Sequence, residues 1–221
     1  DLLLCIFPFE PKYYENSKII CKYVGHPLLE SFTKIKEKSF LRKKYKLDKN
    51  TKILGVMAGS REREIKKMLP IFIESINKFL SQTKFSKEKK LVVFPAVNKA
   101  IEKKIASLKS QMNFNNLIID TSTITEEDKI NMYKEFDLAL VKSGTSSLEL
   151  TLAKVPMIVA YKINYLSELA ARYIFRLNKN IKYVSMTNIL LNEQVIKEYL
   201  QHDCNPETLT DGLTSLLETN Y

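Results

Sequence analysis

Histidine and cysteine are scarce in this sequence. His26 and His202 are the only two histidines among 221 residues, so neither a Ser-His-Asp set nor an HExxH zinc motif can be read. The three cysteines, Cys5, Cys21 and Cys204, are odd in number, far apart and without the spacing of metal ligands. We therefore expect no metal centre and a reducing compartment.

Long apolar runs are also absent. No run approaches the roughly 20 residues that span a bilayer, and the first residues lack the pattern of a signal peptide. These absences predict a cytoplasmic protein. Neither GxGxxG nor GxxxxGK[ST] occurs, which argues against a dinucleotide site and against a P-loop. No cofactor is expected.

The charge balance is strongly basic. The formal net charge is +10, from 35 lysines and arginines against 25 acidic residues. Such a charge favours an anionic partner, for example nucleic acid, a phosphorylated sugar or an acidic lipid. The lysines are spread along the whole chain, however, which indicates a compositional bias and not a binding patch. We expect no nucleic-acid partner, although a nucleic-acid-binding domain stays an alternative that a strong salt-dependent shift of generic DNA would support.

From Thr51 onward, short apolar runs alternate with segments of helical periodicity. The predicted strands are Lys52–Met57, Leu91–Pro95, Asn116–Ile119, Leu138–Val141, Met157–Tyr161 and Lys182–Ser185. The predicted helices are Glu62–Leu80, Asn98–Met112, Thr125–Phe136, Ser146–Lys154, Ser167–Leu177, Glu193–Leu200 and Pro206–Leu217. This alternation predicts an α/β, Rossmann-like domain whose parallel sheet is covered on both faces.

The first thirty residues read differently. Leu2–Phe7 and Cys21–Val24 are predicted strands on either side of a short helical turn, and two strands cannot stand alone as a sheet. We interpret residues 1–30 as the last strand, helix and strand of a truncated amino-terminal domain. The further predicted divisions are a linker helix in 31–50, formed by Ser31–Tyr45, a Rossmann-like nucleotide-binding domain in 51–203, and a carboxyl-terminal crossover helix in 204–221.

The stretch Ser143-Gly144-Thr145 links a buried strand to a helix. Backbone N–H groups at such a helix start, together with the helix dipole, attract an anion, most often phosphate. Glu149 follows one turn into the helix, where it could reach a sugar hydroxyl; the alternative is a solvated helix residue. His26, between a glycine and a proline, is a second residue with two interpretations, catalytic or structural.

Two further polar loops follow predicted strands. Gly59-Ser60-Arg61 sets a glycine, a hydroxyl and a guanidinium at a helix start, and the planar fork of Arg61 fits a phosphate or carboxylate. The alternative for Arg61 is a pair with Glu64. Met186-Thr187-Asn188 is the third loop. In a parallel sheet, ligands bind outside the carboxyl ends of the strands, so these loops predict one shared site.

Four segments in this order resemble the lipid A disaccharide synthase family: VGHPLLE (24–30), GSREREIKKMLP (59–70), SGTSSLELTLAKVPMIVAYK (143–162) and NILLNEQVIKEYLQHDC (188–204). The resemblance implies the GT-B glycosyltransferase architecture, of which this chain would carry the donor-binding half. It also implies transfer from UDP-2,3-diacylglucosamine to 2,3-diacylglucosamine 1-phosphate with release of UDP, in lipid A and lipopolysaccharide biosynthesis. Peripheral contact with the inner membrane is implied for the intact enzyme, and a homodimer is compatible with it.

The resemblance also implies roles for single residues. Gly59, Ser60 and Arg61 would form one wall of the UDP site. The second loop would meet the diphosphate, with Glu149 on the ribose, and Asn188 would complete the nucleotide pocket; the second-loop residues are Ser143, Gly144 and Thr145. No catalytic residue is assigned in this chain, because the resemblance implies that it lies in the amino-terminal domain.

The sequence departs from the family where Ala58 and Thr187 replace usual prolines. Each change is expected to leave the backbone angle φ of a binding loop less restricted, so that ordering the loop on ligand binding costs more free energy. We expect the isolated chain to lack transfer activity.

The sequence also fits a related UDP-N-acetylglucosamine enzyme, such as the peptidoglycan glucosaminyltransferase or the non-hydrolysing 2-epimerase. It fits, in addition, an inactive fragment that binds nucleotide weakly or not at all.

Overall fold

The computed structural model describes residues 1–35, 39–82, 89–162 and 182–220. The chain folds into two compact units, Asp1–Glu37 and Lys38–Tyr221. The predicted helix Ser167–Leu177 lies outside the described residues.

The first unit contains a small parallel sheet of two strands, β1 (Leu2–Cys5) and β2 (Ile20–Tyr23). A 3-10 turn, Glu10–Tyr14, lies between them in the chain, so the predicted order of strand, helical turn and strand is confirmed. Both strands leave large apolar side chains exposed, including Leu2 and Ile20. The sheet of this unit therefore buries little apolar surface of its own.

Two separate helices replace the single predicted helix Ser31–Tyr45, which is therefore wrong. Helix α1 (Pro27–Lys34) ends because Ile35 adopts an extended backbone, with φ −90° and ψ 113°. Helix α2 (Phe40–Lys44) begins in the second unit. A continuous helix would have placed lysines four residues apart on one face, where like charges repel.

The second unit is built on a six-stranded parallel sheet of order β5-β4-β3-β6-β7-β8. Its strands are β3 (Lys52–Met57), β4 (Lys90–Ala96), β5 (Asn116–Asp120), β6 (Leu138–Lys142), β7 (Met157–Tyr161) and β8 (Glu198–Leu200). All five pairings are parallel. The first five strands confirm the predictions to within one residue at each end, because continuous apolar runs suit strands that are buried on both faces.

The strand order reverses at the centre of this sheet. From β3 the chain adds strands outward on one side, to β4 and β5, and then returns to β6, which pairs with β3 on the other side. The crevice outside the carboxyl ends of such a central pair is where doubly wound sheets bind ligands. The fold thus places the ends of β3 and β6 at its switch point.

Helices pack on the sheet and bury its apolar side chains. They are α3 (Glu62–Gln82), α4 (Lys99–Ala106), α5 (Glu126–Lys134), α6 (Thr145–Leu152), α7 (Met186–Leu191) and α8 (Pro206–Asn220). The long α3 packs against α8, and the Asn205 side chain caps α8, accepting from the Thr208 N–H at 3.1 Å. The predicted helix Asn98–Met112 is shorter than expected, since α4 ends at Ala106.

The predictions for the last part of the domain are wrong in two places. No strand forms at Lys182–Ser185, and the predicted helix Glu193–Leu200 is replaced by the edge strand β8, which pairs with β7. Asn192, in the left-handed conformation with φ 50°, ends α7. The apolar spacing in this stretch also fits a helix, but pairing with the edge of the sheet overrides it.

Candidate functional site

A cavity of about 250 Å³ lies outside the carboxyl ends of β3, β4 and β6, at the switch point of the sheet. Six of the eight predicted site residues line it: Gly59, Ser60, Ser143, Gly144, Thr145 and Glu149. The other two, Arg61 and Asn188, are not among its lining residues. The structure therefore brings the first and second loops to one site, as the parallel sheet predicts.

The first loop connects β3 to α3. Gly59 adopts φ +130°, a conformation that favours glycine. The backbone N–H groups of Ser60 and Arg61 donate to Oε2 of Glu64 at 3.1 and 3.4 Å. The Arg61 side chain is 82% exposed, and its guanidinium lies 3.5 Å from Oε1 of Glu64. The helix start is thus capped by its own carboxylate, while most of the Arg61 side chain faces solvent.

The second loop connects β6 to α6. Gly144, with φ +156°, is the residue before the first turn of α6, and no side chain among the described residues caps this helix. The Ser143 hydroxyl donates to the backbone oxygen of Val184 at 2.7 Å. Its backbone N–H donates to the backbone oxygen of Ala160 at 3.0 Å, so both donors of Ser143 are used within the chain. Thr145 and Gly144 are exposed at the cavity.

Glu149 is not the solvated helix residue of the alternative interpretation. Its side chain is 14% exposed, and Oε1 lies 3.1 Å from Nζ of Lys129. Lys129 also contacts Glu126 at 3.0 Å. Burial alone would lower the pKa of Lys129, but the charges of Glu149 and Glu126 raise it, so the lysine stays protonated. The Lys129–Glu149 pair forms one wall of the cavity.

A second ion pair, between Lys142 and Glu64, was not predicted. Nζ of Lys142 lies 3.1 Å from Oε1 of Glu64, and the two side chains are 14% and 19% exposed. The ammonium also lies 5.0 Å from the centre of the Tyr161 ring. Burial alone would raise the pKa of Glu64, but hydrogen bonds from Lys142 and from the Ser60 N–H group hold that pKa below its usual value. A lysine at the end of an otherwise apolar strand, next to Ser-Gly-Thr, was the signal available in the sequence.

Asn188 is fully buried and does not join the cavity. Its amide nitrogen donates to the backbone oxygen of Ile196 at 2.8 Å and to Glu198 at 2.7 Å. Its amide oxygen accepts from the N–H groups of Val195 and Ile196, both at 3.0 Å. Asn188 lies in helix α7 and not in a loop. Its amide holds the segment that leads into β8.

This buried amide is linked to the second loop. Glu198, which accepts from Asn188, also accepts from the backbone N–H groups of Val184 and Ser185, both at 2.9 Å. Val184 in turn accepts from the Ser143 hydroxyl. The predicted loop residue Thr187 is likewise held, because its hydroxyl lies 2.7 Å from that of Thr151. These bonds hold the second loop in place.

His26 has a structural contact within the first unit. Its Nδ1 accepts from the Leu28 N–H group at 3.2 Å at the start of α1, and its ring lies 5.2 Å from that of Phe7. No group of three His, Cys, Asp or Glu side chains in the described residues could hold a metal ion. In the same parts of the chain, no helix is long and apolar enough to cross a bilayer.

Structural comparison relates the fold to nucleotide-sugar enzymes. The UDP-GlcNAc 2-epimerase of Methanocaldococcus jannaschii, solved in complex with UDP-GlcNAc and UDP, matches with a TM-score of 0.60 and 15% identity, covering 94% of this chain and 50% of that one. The ADP-heptose lipopolysaccharide heptosyltransferase II of E. coli matches with a TM-score of 0.50 and 8% identity, over 82% of this chain and 51% of that one. The fold is that of one Rossmann-like half of a GT-B protein, as predicted.

Sequence comparison is more specific. Lipid-A-disaccharide synthases of Rickettsia canadensis and Rickettsia typhi are 38% and 35% identical to this chain, covering 98% and 100% of it. The chain spans about half of their length, 52% and 54% respectively. The family model for lipid-A-disaccharide synthetase matches residues 1–220. The resemblance read from the four segments is confirmed, and the chain belongs to the lipid-A-disaccharide synthetase family.

Proposed function

We propose that this cavity binds the UDP portion of a UDP-sugar, and that the chain is the donor-binding part of a glycosyltransferase of lipid A biosynthesis. The observation that carries the proposal is the meeting of both anion-suited loops and Glu149 at one cavity at the switch point of the sheet. The family membership supports a UDP-sugar as the ligand. The reaction that we propose is the transfer from UDP-2,3-diacylglucosamine to 2,3-diacylglucosamine 1-phosphate, with UDP as the leaving group.

The diphosphate is assigned to the second loop. Helix α6 presents a positive dipole end and uncapped N–H groups there, and Lys142 supplies a full positive charge nearby. Glu149, one turn further along α6, is assigned to the ribose hydroxyls, which donate well to a carboxylate. Nζ of Lys129, 3.1 Å from Oε1, holds this carboxylate at the cavity wall.

Calorimetric titration of the chain with UDP, uridine and inorganic pyrophosphate tests this assignment. We expect UDP to bind more tightly than either part, because the two parts contact different residues. Failure of UDP to bind at millimolar concentration would overturn the proposal. An acceptor assay on the intact enzyme separates lipid A disaccharide synthesis from epimerisation or transfer to a peptidoglycan precursor.

A further inference from the structure

The Glu64 carboxylate is held by donors that an incoming phosphate group would also use. The N–H groups of Ser60 and Arg61 donate to it at 3.1 and 3.4 Å, and Nζ of Lys142 lies at 3.1 Å. Two backbone amides and an ammonium group are the donor set that proteins use to bind phosphate. In this structure the set is occupied by a residue of the chain itself.

Gly59 makes this position available to Glu64. A Cβ atom on Gly59 would lie 2.7 Å from Oε2 and 2.8 Å from Cβ of Glu64, closer than real Cβ atoms approach other atoms. Only glycine therefore allows the glutamate to fold back over the loop. Gly59 therefore allows both the turn of the first loop and the position of the Glu64 carboxylate over it.

Lys142 connects this carboxylate to the second loop. Its Nζ lies 3.1 Å from Oε1 of Glu64 and 4.0 Å from the position that a Cβ on Gly144 would take. An anion at the start of α6 is thus within reach of the same ammonium group. The ammonium can pair with Glu64 or with that anion, and each partner weakens its hold on the other.

We propose that Glu64 is an affinity-setting residue of the donor site, an internal anion that competes with the diphosphate for Lys142 and for the loop amides. Binding then exchanges one anion for another, and Lys142 passes from Glu64 to the phosphate groups. This proposal rests on the proposed function for its natural ligand. Pyrophosphate binding tests the exchange separately from UDP binding.

The exchange makes the site selective for charge. A phosphorylated ligand must displace Glu64 and offsets that cost with its own charge, whereas uridine has no group that competes for these donors. Removing the charge of Glu64 should therefore raise affinity for phosphorylated ligands alone. Charged hydrogen bonds of this kind are strong enough for a change of about tenfold.

The experiment compares Glu64→Gln with the unaltered chain by calorimetry at low salt. The glutamine keeps the size of the side chain and an oxygen that accepts from the loop amides. We expect pyrophosphate and UDP to bind about tenfold more tightly and uridine to be unchanged. Glu62→Gln is the matched control, since Glu62 is exposed in the same first turn of α3 and does not line the cavity.

Lys142→Met, made in both backgrounds, tests the exchange itself. In the unaltered chain we expect a loss of about threefold in pyrophosphate affinity, because Lys142 must first leave Glu64. In the Glu64→Gln background the ammonium has no such partner, and the loss should exceed about tenfold. Equal losses in the two backgrounds would mean that the residues act independently, which would overturn the exchange.

The remaining outcomes also decide the question. Weaker or unchanged pyrophosphate binding by Glu64→Gln, in a variant whose circular dichroism spectrum matches that of the unaltered chain, would show that Glu64 only builds the loop, and the proposal would fail. Tighter pyrophosphate binding without any UDP binding would support the exchange while rejecting the proposed function. Tighter binding of uridine would contradict the exchange.

Discussion

The two strand–loop–helix connections at the switch point, β3 to α3 and β6 to α6, are alike in sequence but differ in how their backbone amides are used. Each ends a buried strand, contains a glycine at positive φ and opens a helix. In the first, Glu64 caps the amides. In the second, no described side chain caps the helix.

This difference teaches that a glycine–hydroxyl loop before a helix is not by itself an open anion site. What decides is whether a carboxylate three or four residues further on can fold back onto the loop. Glu64 and Glu149 lie at the same distance in sequence after the loop glycine, but Glu64 folds back onto the loop amides, whereas Glu149 pairs with Lys129. The second connection is therefore the one whose helix start is left open for the proposed phosphate.

Alanine at the two glycines gives the largest expected contrast between the connections. Gly59→Ala should destabilise the fold by about 3 kcal/mol, because the backbone is strained for an L residue and the new Cβ meets Glu64. Gly144→Ala should cost about 1–2 kcal/mol, since strain remains but the nearest side-chain atom is 4.0 Å away. Urea unfolding, followed by circular dichroism, measures both.

Equal losses at the two glycines would contradict the view that Glu64 occupies the first loop. A double variant, Gly59→Ala with Glu64→Ala, refines this result. Removing the glutamate beyond its Cβ relieves part of the close contact, so the double variant should lose less stability than the two single changes added together.

The next contrast is in ligand binding. Glu149→Gln should weaken UDP by about tenfold and leave pyrophosphate almost unchanged, because a ribose contact is lost. Arg61→Ala should weaken both ligands, by about three- to fivefold, since an exposed charge contributes less than a buried one. The effect of Arg61 should shrink as salt rises, whereas that of Glu149 should persist.

Each of these variants has a close control. Glu126→Gln removes a carboxylate that also pairs with Lys129 but is 53% exposed and does not line the cavity. Arg63→Ala removes an exposed positive charge next to the first loop. If Glu126→Gln weakens UDP as much as Glu149→Gln does, the ribose assignment fails. If both Arg61→Ala and Glu149→Gln leave UDP affinity unaltered, the nucleotide site lies elsewhere.

The smallest expected effect is on acid stability. The folded protein holds the pKa of Glu64 below its ordinary value of 4.5, so ionised Glu64 stabilises the fold above that pH. This contribution is lost as pH falls from 4.5 through the folded pKa. At pH 7 the unaltered chain should exceed Glu64→Gln by less than about 1 kcal/mol, because the pair is partly exposed. The thermal midpoints of the unaltered chain and of Glu64→Gln should converge as the pH falls from 7 to 3. A difference that stays constant over this range would contradict the assignment.

The sequence predicted the central strands and both loops because these depend on local patterns. A run such as Leu138–Val141 has no other stable place than a buried strand, and the residues after it must then lie at the carboxyl edge. The ion pairs could not be predicted in this way. Lys142 and Glu64 are 78 residues apart in the chain, and their contact depends on the pairing of β3 with β6.

At the edge of the sheet, in contrast, the local sequence pattern predicted the wrong element. The stretch at 193–200 fits a helix in its apolar spacing, yet its last residues form β8. The reason is that β7 offers backbone partners and that the Asn188 side chain binds the residues just before β8. The same amide belongs to the residue that the resemblance assigned to the nucleotide pocket. The four hydrogen bonds of the Asn188 side chain all go to residues of the chain.

The pairing of charges inside the cavity also bears on how quickly a ligand arrives. Among the described residues, four charged side chains line it, two of each sign: Glu64, Lys129, Lys142 and Glu149. Together these four contribute nothing to the net charge of +10, and their combined field is short-ranged. Attraction of a diphosphate over distances beyond about 10 Å depends on lysines elsewhere on the surface. Residence time, in contrast, depends on the few donors that Glu64 releases.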